Sequence, residues 1–241
     1  MNTLSLQVDG RRPGPGERRK GPAWVSGTVV ESRVLGSPAS TAQVQPRLLT
    51  SALMSAAVKA GARLVRGKVT AARLSEGAVT GLHLSSGHVL EADIVVLCMG
   101  PWTGRGLEMF GVSAASGCLV SGHRAHSISI TLPHPTNSGI DNTALFLSSL
   151  KDPEVYPRPD GTVYVCGGCE AEQVPLPDEP AEVSVDLEAC SQIKAVAGQI
   201  SDQLGLAESY ESSACYLPSS QDGSPIIGKI SKVKKTIDID I

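Results

Sequence analysis

Residues 92–102, ADIVVLCMGPW, decide the fold. Ile94 to Cys98 are apolar at every position, so both faces of an extended segment would be apolar. That is the pattern of a strand buried between layers, and such strands are mostly parallel. The run stops at Gly100 and Pro101, and Trp102, one of only two tryptophans in 241 residues, follows directly. The segments before it lead into that strand. From Pro46 to Ala60, Leu49, Leu53 and Ala57 recur at i+4, as do Leu48, Ala52, Ala56 and Ala60. Pro46 suits a first helical turn and Gly61 the residue after the last, so this stretch is expected to be a helix with one broad apolar face. RLVRGKVTAARL, AVTGLHL and HVLEA follow, separated by SEG and SSG, and these short alternating segments predict an antiparallel meander.

Beyond residue 110, strands are expected at SISITL and ALFLSS, with a Pro- and Asn-rich loop between them. Pro159, Asp160 and Gly161 have turn chemistry directly before TVYVC, which predicts a hairpin. Asp186 is placed to cap a second helix in which Ile193, Val196, Ile200 and Leu204 share a face and Gly205 ends it. At the start, GRRPGPGERRKGP (residues 10–22) holds five basic residues, three prolines and four glycines, and residues 1–22 are expected to be a disordered tail.

Composition narrows the function. Aromatics are only 3% of a chain that is 41% hydrophobic, so the core is built of Val, Leu, Ile and Ala. A formal net charge of −3, with acidic and basic residues mixed, offers no large positive field, so no nucleic-acid partner is expected and small molecules are. No stretch approaches the roughly 20 apolar residues of a membrane helix, and no signal-peptide core stands at the start. The expected setting is cytoplasmic, with the six cysteines reduced. Cys166 and Cys169 form a lone Cys-x-x-Cys that follows a strand instead of opening a helix. A redox pair or metal site is weighed there against a plain strand end. His123 and His126 precede a strand, where i and i+3 point to opposite faces, and no metal is expected. No Gly-x-Gly-x-x-Gly follows a strand anywhere in the chain.

Taken together, TAQVQPRLLTSALMSAAVKAGARLVRGKVTAARL and VTGLHLSSGHVLEADIVVLCMGPWTG resemble the FAD-dependent oxidoreductases of the D-amino-acid oxidase superfamily, the group with glycine oxidase and sarcosine oxidase. RAHSISI, DPEVYPRPDGTVYVCGG and ACYLPSSQDGSPIIGKI are similar to a narrower subgroup of such proteins in fungi and plants. The resemblance runs from about Trp24 to Lys229. It implies a mixed α/β (α+β) fold: part of a FAD-binding domain (23–110 and 215–230), a substrate domain with a mixed or antiparallel sheet (111–214), and a divergent tail (231–241).

The resemblance also implies FAD as cofactor and a small amine or amino-acid-like substrate oxidised at a C–N bond. Gly100, Pro101 and Trp102 would lie against the flavin, Val69 would offer its backbone to the adenine, and Asp222, Gly223 and Pro225 would form a turn near the flavin. Without the family context, Trp102 reads equally well as core filling and Asp222-Gly223 as an ordinary turn. No catalytic residue is assigned, and the oligomeric state is left open. Three departures stand out. The glycine-rich loop of the family's opening is not found here, nor is its closing flavin-contacting segment. Leu217-Pro218 stands where amino-acid oxidases carry Arg-Pro, and leucine cannot bond a carboxylate. Without preorganised phosphate partners, FAD is expected to bind this chain weakly, and a non-catalytic fragment or binding module is the alternative.

Overall fold

The computed structural model describes residues 1–9, 11–14, 20–112, 120–133, 139–168, 174–230 and 236–240. In chain order the first strands and helix are β1 (Thr3–Val8), β2 (Val29–Gly36), α1 (Pro46–Lys59), β3 (Val69–Ser75), β4 (Ala78–Leu84), β5 (Val89–Glu91) and β6 (Val95–Leu97). Then come α2 (Thr103–Glu108), β7 (Val120–Thr131), β8 (Ala144–Leu147), β9 (Glu154–Pro157) and β10 (Thr162–Cys166). The chain finishes with α3 (Leu187–Ile200), α4 (Asp202–Leu206), β11 (Ser209–Ser220), β12 (Ile226–Gly228) and β13 (Thr236–Asp240). Two units form: Met1–Val44, Arg124–Gln173 and Pro177–Cys215 make the first, and Gln45–His123, Val174–Leu176 and Tyr216–Ile241 the second.

The first unit is built on a seven-stranded mixed sheet in the order β11-β7-β10-β9-β8-β1-β2, in which β1 runs parallel to β8. Alternation along its strands sends Ile128, Ile130, Val155, Val163 and Val165 to one face. There they meet Cys190, Ile193, Ala197 and Ile200 of α3 in one core. Helix α3 begins as expected, with the Asp186 side chain accepting from the Glu188 and Ala189 amides at 2.9 and 3.2 Å. It ends earlier than expected. Ser201 is extended, the Asp202 amide is taken by the Ser26 hydroxyl, and the short α4 turns Leu204 back into the core. The reversal brings two glycines close together: a Cβ on Gly198 would lie 3.2 Å from the Gly205 Cα, a tight contact that the backbone would have to yield a few tenths of an ångström to accept. Lys194 then donates to the Leu204 and Gly205 carbonyls, groups that the end of α4 leaves without helical partners.

The N-terminal residues hold more regular structure than their composition predicts. The tail placed at 1–22 includes β1, whose Leu6 and Val8 are buried, and the Arg11 backbone carbonyl accepts from Thr28. Leu4, Leu6 and Val8 alternate, and a parallel partner 140 residues away in the sequence gives that alternation its value. Residues 23–44 pack within the first unit: Trp24 and Val25 enter its core and β2 pairs antiparallel with β1.

In the second unit, β3-β4-β5 form the expected antiparallel meander. A second sheet has the order β12-β13-β6, with β6 parallel to β13. The tail expected at 231–241 therefore contains a strand. Strand β6 is shorter and less enclosed than its sequence suggests: Val95 and Leu97 are buried, while Ile94 and Val96 are exposed. Val79, Val95, Leu97, Leu107, Phe110, Val112 and Ile230 make this unit's core. Helix α1 forms where expected, with the Gln45 side chain accepting from the Leu48 amide, yet none of its residues is buried. Leu48, Leu49, Leu53, Met54 and Val58 are all exposed.

Candidate functional site

The end of β6 organises the site of the second unit. After Leu97 the chain passes through Met99 into Gly100, whose φ of +51° is a left-handed conformation that side-chain-bearing residues rarely adopt. Gly100 to Trp102 make one 3-10 turn, closed by the Trp102 amide donating to the Met99 carbonyl at 3.0 Å. Helix α2 then starts at Thr103 and returns over β6. A Cβ on Gly106 would lie 2.5 Å from the Met99 sulfur, so only glycine permits this approach without a shift. At Gly100 the situation is the reverse, since no atom stands within 4 Å of where a Cβ would be. The strand thus ends in an open patch of bare backbone.

Trp102 is held beside that patch by Tyr216 of β11, edge to face, with ring centroids 6.4 Å apart. The Tyr216 hydroxyl lies 3.1 Å from the carbonyls of both Val174 and Pro175, and its single proton can serve either. Gly122 makes room for this ring, for a Cβ there would stand 2.8 Å from Tyr216. Arg105 of α2 donates to the Leu176 carbonyl at 2.9 Å. Gly122 and Tyr216 carried no signal in the sequence, because each matters only through a partner about 90 residues away.

Strand β11 continues from Tyr216 into the turn 221–225. Asp222 holds this turn by accepting from the Ser224 amide at 3.0 Å, and the Ser220 hydroxyl lies 3.2 Å from the same oxygen. The Ser224 amide first, and Ser220 next, hold its carboxyl below the usual range. Asp222 therefore shapes the turn. The surface that the turn offers comes from Gly223, Ser224 and Pro225, which line a cleft of about 160 Å³ with Val120, Pro218 and Ser220. Gly223, at φ +72°, again has no atom within 4 Å of a Cβ position. Val69 opens β3 opposite Leu84 in the other sheet of this unit.

Of the two side-chain pairs weighed above, only the histidines lie wholly within the described residues. Cys166 ends β10, where burial first and the Glu154 carboxylate second push its thiol up to about 12; Cys169 lies outside the described residues. His126 is buried and accepts the Asp186 amide at 3.0 Å through Nε2, while His123 is exposed on the same strand. No cluster of three metal-ligating side chains occurs among the described residues. No described helix is long and apolar enough to cross a membrane.

A family model described as "DAO: FAD dependent oxidoreductase" matches residues 21–237. The chain belongs to that family. A Schizosaccharomyces pombe protein whose name reads "Putative oxidoreductase" is 30% identical over 254 residues, covering 95% of this chain and 63% of the yeast protein. A Saccharomyces cerevisiae protein of like name is 33% identical over 131 residues, covering 52% of this chain and 22% of that protein. This DAO-family chain thus spans less than two thirds of these relatives. Its fold recurs in L-proline dehydrogenase from P. horikoshii (TM-score 0.78, 14% identity, 99% of this chain and 66% of that one). It recurs also in glycine oxidase from Geobacillus kaustophilus (TM-score 0.71, 17% identity, 99% and 64%).

FAD is the cofactor of the DAO family. Bare backbone at Gly100, with the Trp102 ring braced beside it by Tyr216, has the flat, uncovered surface that a ring system would need. No glycine fingerprint for a pyrophosphate stands in the sequence.

Proposed function

We propose that this DAO-family chain serves a FAD-dependent oxidoreductase that oxidises a C–N bond of a small amine or amino-acid-like substrate. The observation that carries the reading is the left-handed, uncovered Gly100 at the end of a parallel strand. In this reading Gly100 and Pro101 present backbone to the flavin, Trp102 limits where it can slide, and Gly223 and Pro225 border it from their turn. Val69 supplies main-chain donor and acceptor groups for the adenine, and Asp222 acts by holding the turn. When bound, FAD supplies the acceptor for the hydride that leaves the carbon beside nitrogen. The protein's part is to position the substrate and keep water away, and a substrate amine that arrives neutral needs no protein base.

A second reading, a non-catalytic fragment or binding module of such an enzyme, is favoured by the uncovered apolar face of α1. Titrating FAD against the purified chain separates the two. The enzymatic reading expects quenching of flavin fluorescence with weak affinity, reduced further in Gly223→Val and Gly100→Val proteins whose circular dichroism matches the parent. No quenching, or quenching indifferent to both substitutions, supports the fragment reading.

A further inference from the structure

Strand β2 ends the order of the seven-stranded sheet, so among the described residues no strand pairs with its outer side. Residues 31–35 are exposed without interruption, Val34 at 70%. The neighbouring ladders show which backbone groups that outer side presents. The Asn2 and Leu6 carbonyls accept from the Ala144 and Ser148 amides, each at 3.0 Å, so the even-numbered residues of β1 turn their backbone groups towards β8. Ser5 and Gln7 then turn theirs towards β2, where they stand opposite Arg33 and Glu31. Those two residues direct their amides and carbonyls at β1, and Val30, Ser32 and Val34 direct theirs outwards. Consistent with this, the Val30 carbonyl accepts from the Lys20 ammonium at 3.2 Å.

An unpaired edge is a template for another strand, and this one matches a second copy of itself. When two identical antiparallel strands pair about a two-fold axis, residues at equal distances before and after the axis stand opposite each other on one face. Backbone parity allows the axis at a residue and forbids it between residues. An axis at Glu31 or at Arg33 would set like charges directly opposite each other. An axis at Ser32 sets Glu31 of each copy against Arg33 of the other, and Val30 against Val34. Val30, Ser32 and Val34 are the outward-directed residues, so each of their pairs can exchange two hydrogen bonds. The ladder to β1 shifts register just outside this run, between Gln7 and Val8 and between Thr3 and Leu4, which keeps the contact short.

We propose that β2 is a self-association edge: two copies of the chain pair antiparallel through it about a two-fold axis at Ser32, held in register by reciprocal Glu31–Arg33 pairs. The Val34 amide of one copy takes the place of Lys20 on the Val30 carbonyl of the other, and the two sheets become one. A contact this short makes a transient, concentration-dependent dimer. The strand lies within the first unit, so the proposal goes beyond the flavin reading and is tested without FAD.

The experiment follows the mass of the full chain by sedimentation velocity over a concentration series, and the parent is expected to pass from monomer to dimer. Glu31→Lys and Arg33→Glu are exposed changes that each set like charges opposite in a homodimer, and each is expected to weaken it about tenfold or more. Mixed in equal amounts, the two variants meet with unlike charges and the dimer is expected to return, as it is in the Glu31→Lys, Arg33→Glu double variant. Amide exchange at Val30, Ser32 and Val34 is expected to slow as concentration rises, with Glu31 and Arg33 unchanged because β1 already holds them. A parent that stays monomeric, single variants that dimerise like the parent, or a mixture no more dimeric than its components would overturn the proposal. So would a dimer that Leu53→Gln removes and the β2 variants leave intact, which would place the contact on α1.

Discussion

The two units each carry one fourteen-residue helix with an apolar face, and among the described residues only one of these faces is covered. In the first unit α3 lays Ile193, Ala197 and Ile200 against the sheet and buries all three completely. In the second, α1 has a comparable stripe of Leu49, Leu53 and Leu48 and buries nothing. An amphipathic pattern specifies helix, while the burial that stabilises it is a property of what stands opposite. The same contrast runs through the sheets. Among the described residues, the first unit's seven strands enclose an eighteen-residue core, while in the second unit Ile94, just before β6, and Val96 within it stay outside a core of seven.

The sharpest way to break this comparison is to truncate the covered helix. Ile193→Ala removes a fully buried side chain between α3 and the sheet and is expected to cost about 2–5 kcal/mol, read from the shift of a urea midpoint. A cost under about 1 kcal/mol would mean that the first unit is not the tightly packed half.

Two glycines sharpen it next. Gly167 and Gly223 have the same φ of +72°, so an alanine suffers the same left-handed strain at either, about 1–2 kcal/mol. Their surroundings differ. A Cβ at Gly167 would lie 2.7 Å from the Asp152 carbonyl oxygen, whereas at Gly223 it meets nothing within 4 Å. Gly167→Ala is expected to cost about 1–3 kcal/mol more than Gly223→Ala. Equal losses would show that the space beside Gly223 is filled in solution, and would remove one support of the flavin reading.

A smaller effect comes from the cap of α3. Asp186→Ala is expected to cost about 1 kcal/mol. The Asp186 amide donates to His126, whose pKa is pushed below 6.5 chiefly by burial and then by the Arg124 charge. A base with a depressed folded pKa takes up fewer protons folded than unfolded in that window, so stability is full above about pH 6.5 and falls as the pH drops through the folded value. Thermal midpoints of the parent should decline on acidification from pH 7 to 5, and a His126→Gln protein should decline less. A parent curve that is flat or rises on acidification would contradict this account.

What the sequence made legible follows the reach of each signal. The meander, the hairpin at Pro159, Asp160 and Gly161, and the Asp186 cap rest on neighbours a few residues apart, and all are present. Strands β1 and β13 were missed because their partners β8 and β6 lie about 140 residues away, and a short alternating run beside a charged or Gly- and Pro-rich stretch has no local evidence of pairing. At the site, Gly100 to Trp102 stood out through the resemblance, while Gly122 and Tyr216 became visible only with the contacts they make.

The smallest expected effect is the most informative about α1. Leu53 is 63% exposed on that helix, and glutamine has nearly the same helix propensity as leucine. Leu53→Gln should therefore change stability by no more than about 0.5 kcal/mol and should reduce self-association at high concentration, since it dilutes an exposed apolar stripe. Chemical denaturation and light scattering measure the two. If the substitution instead costs 2 kcal/mol or more, about what the loss of a buried leucine costs, then a surface covers α1 in solution. The contrast between the two helices would then lie in which surface covers each, with burial common to both.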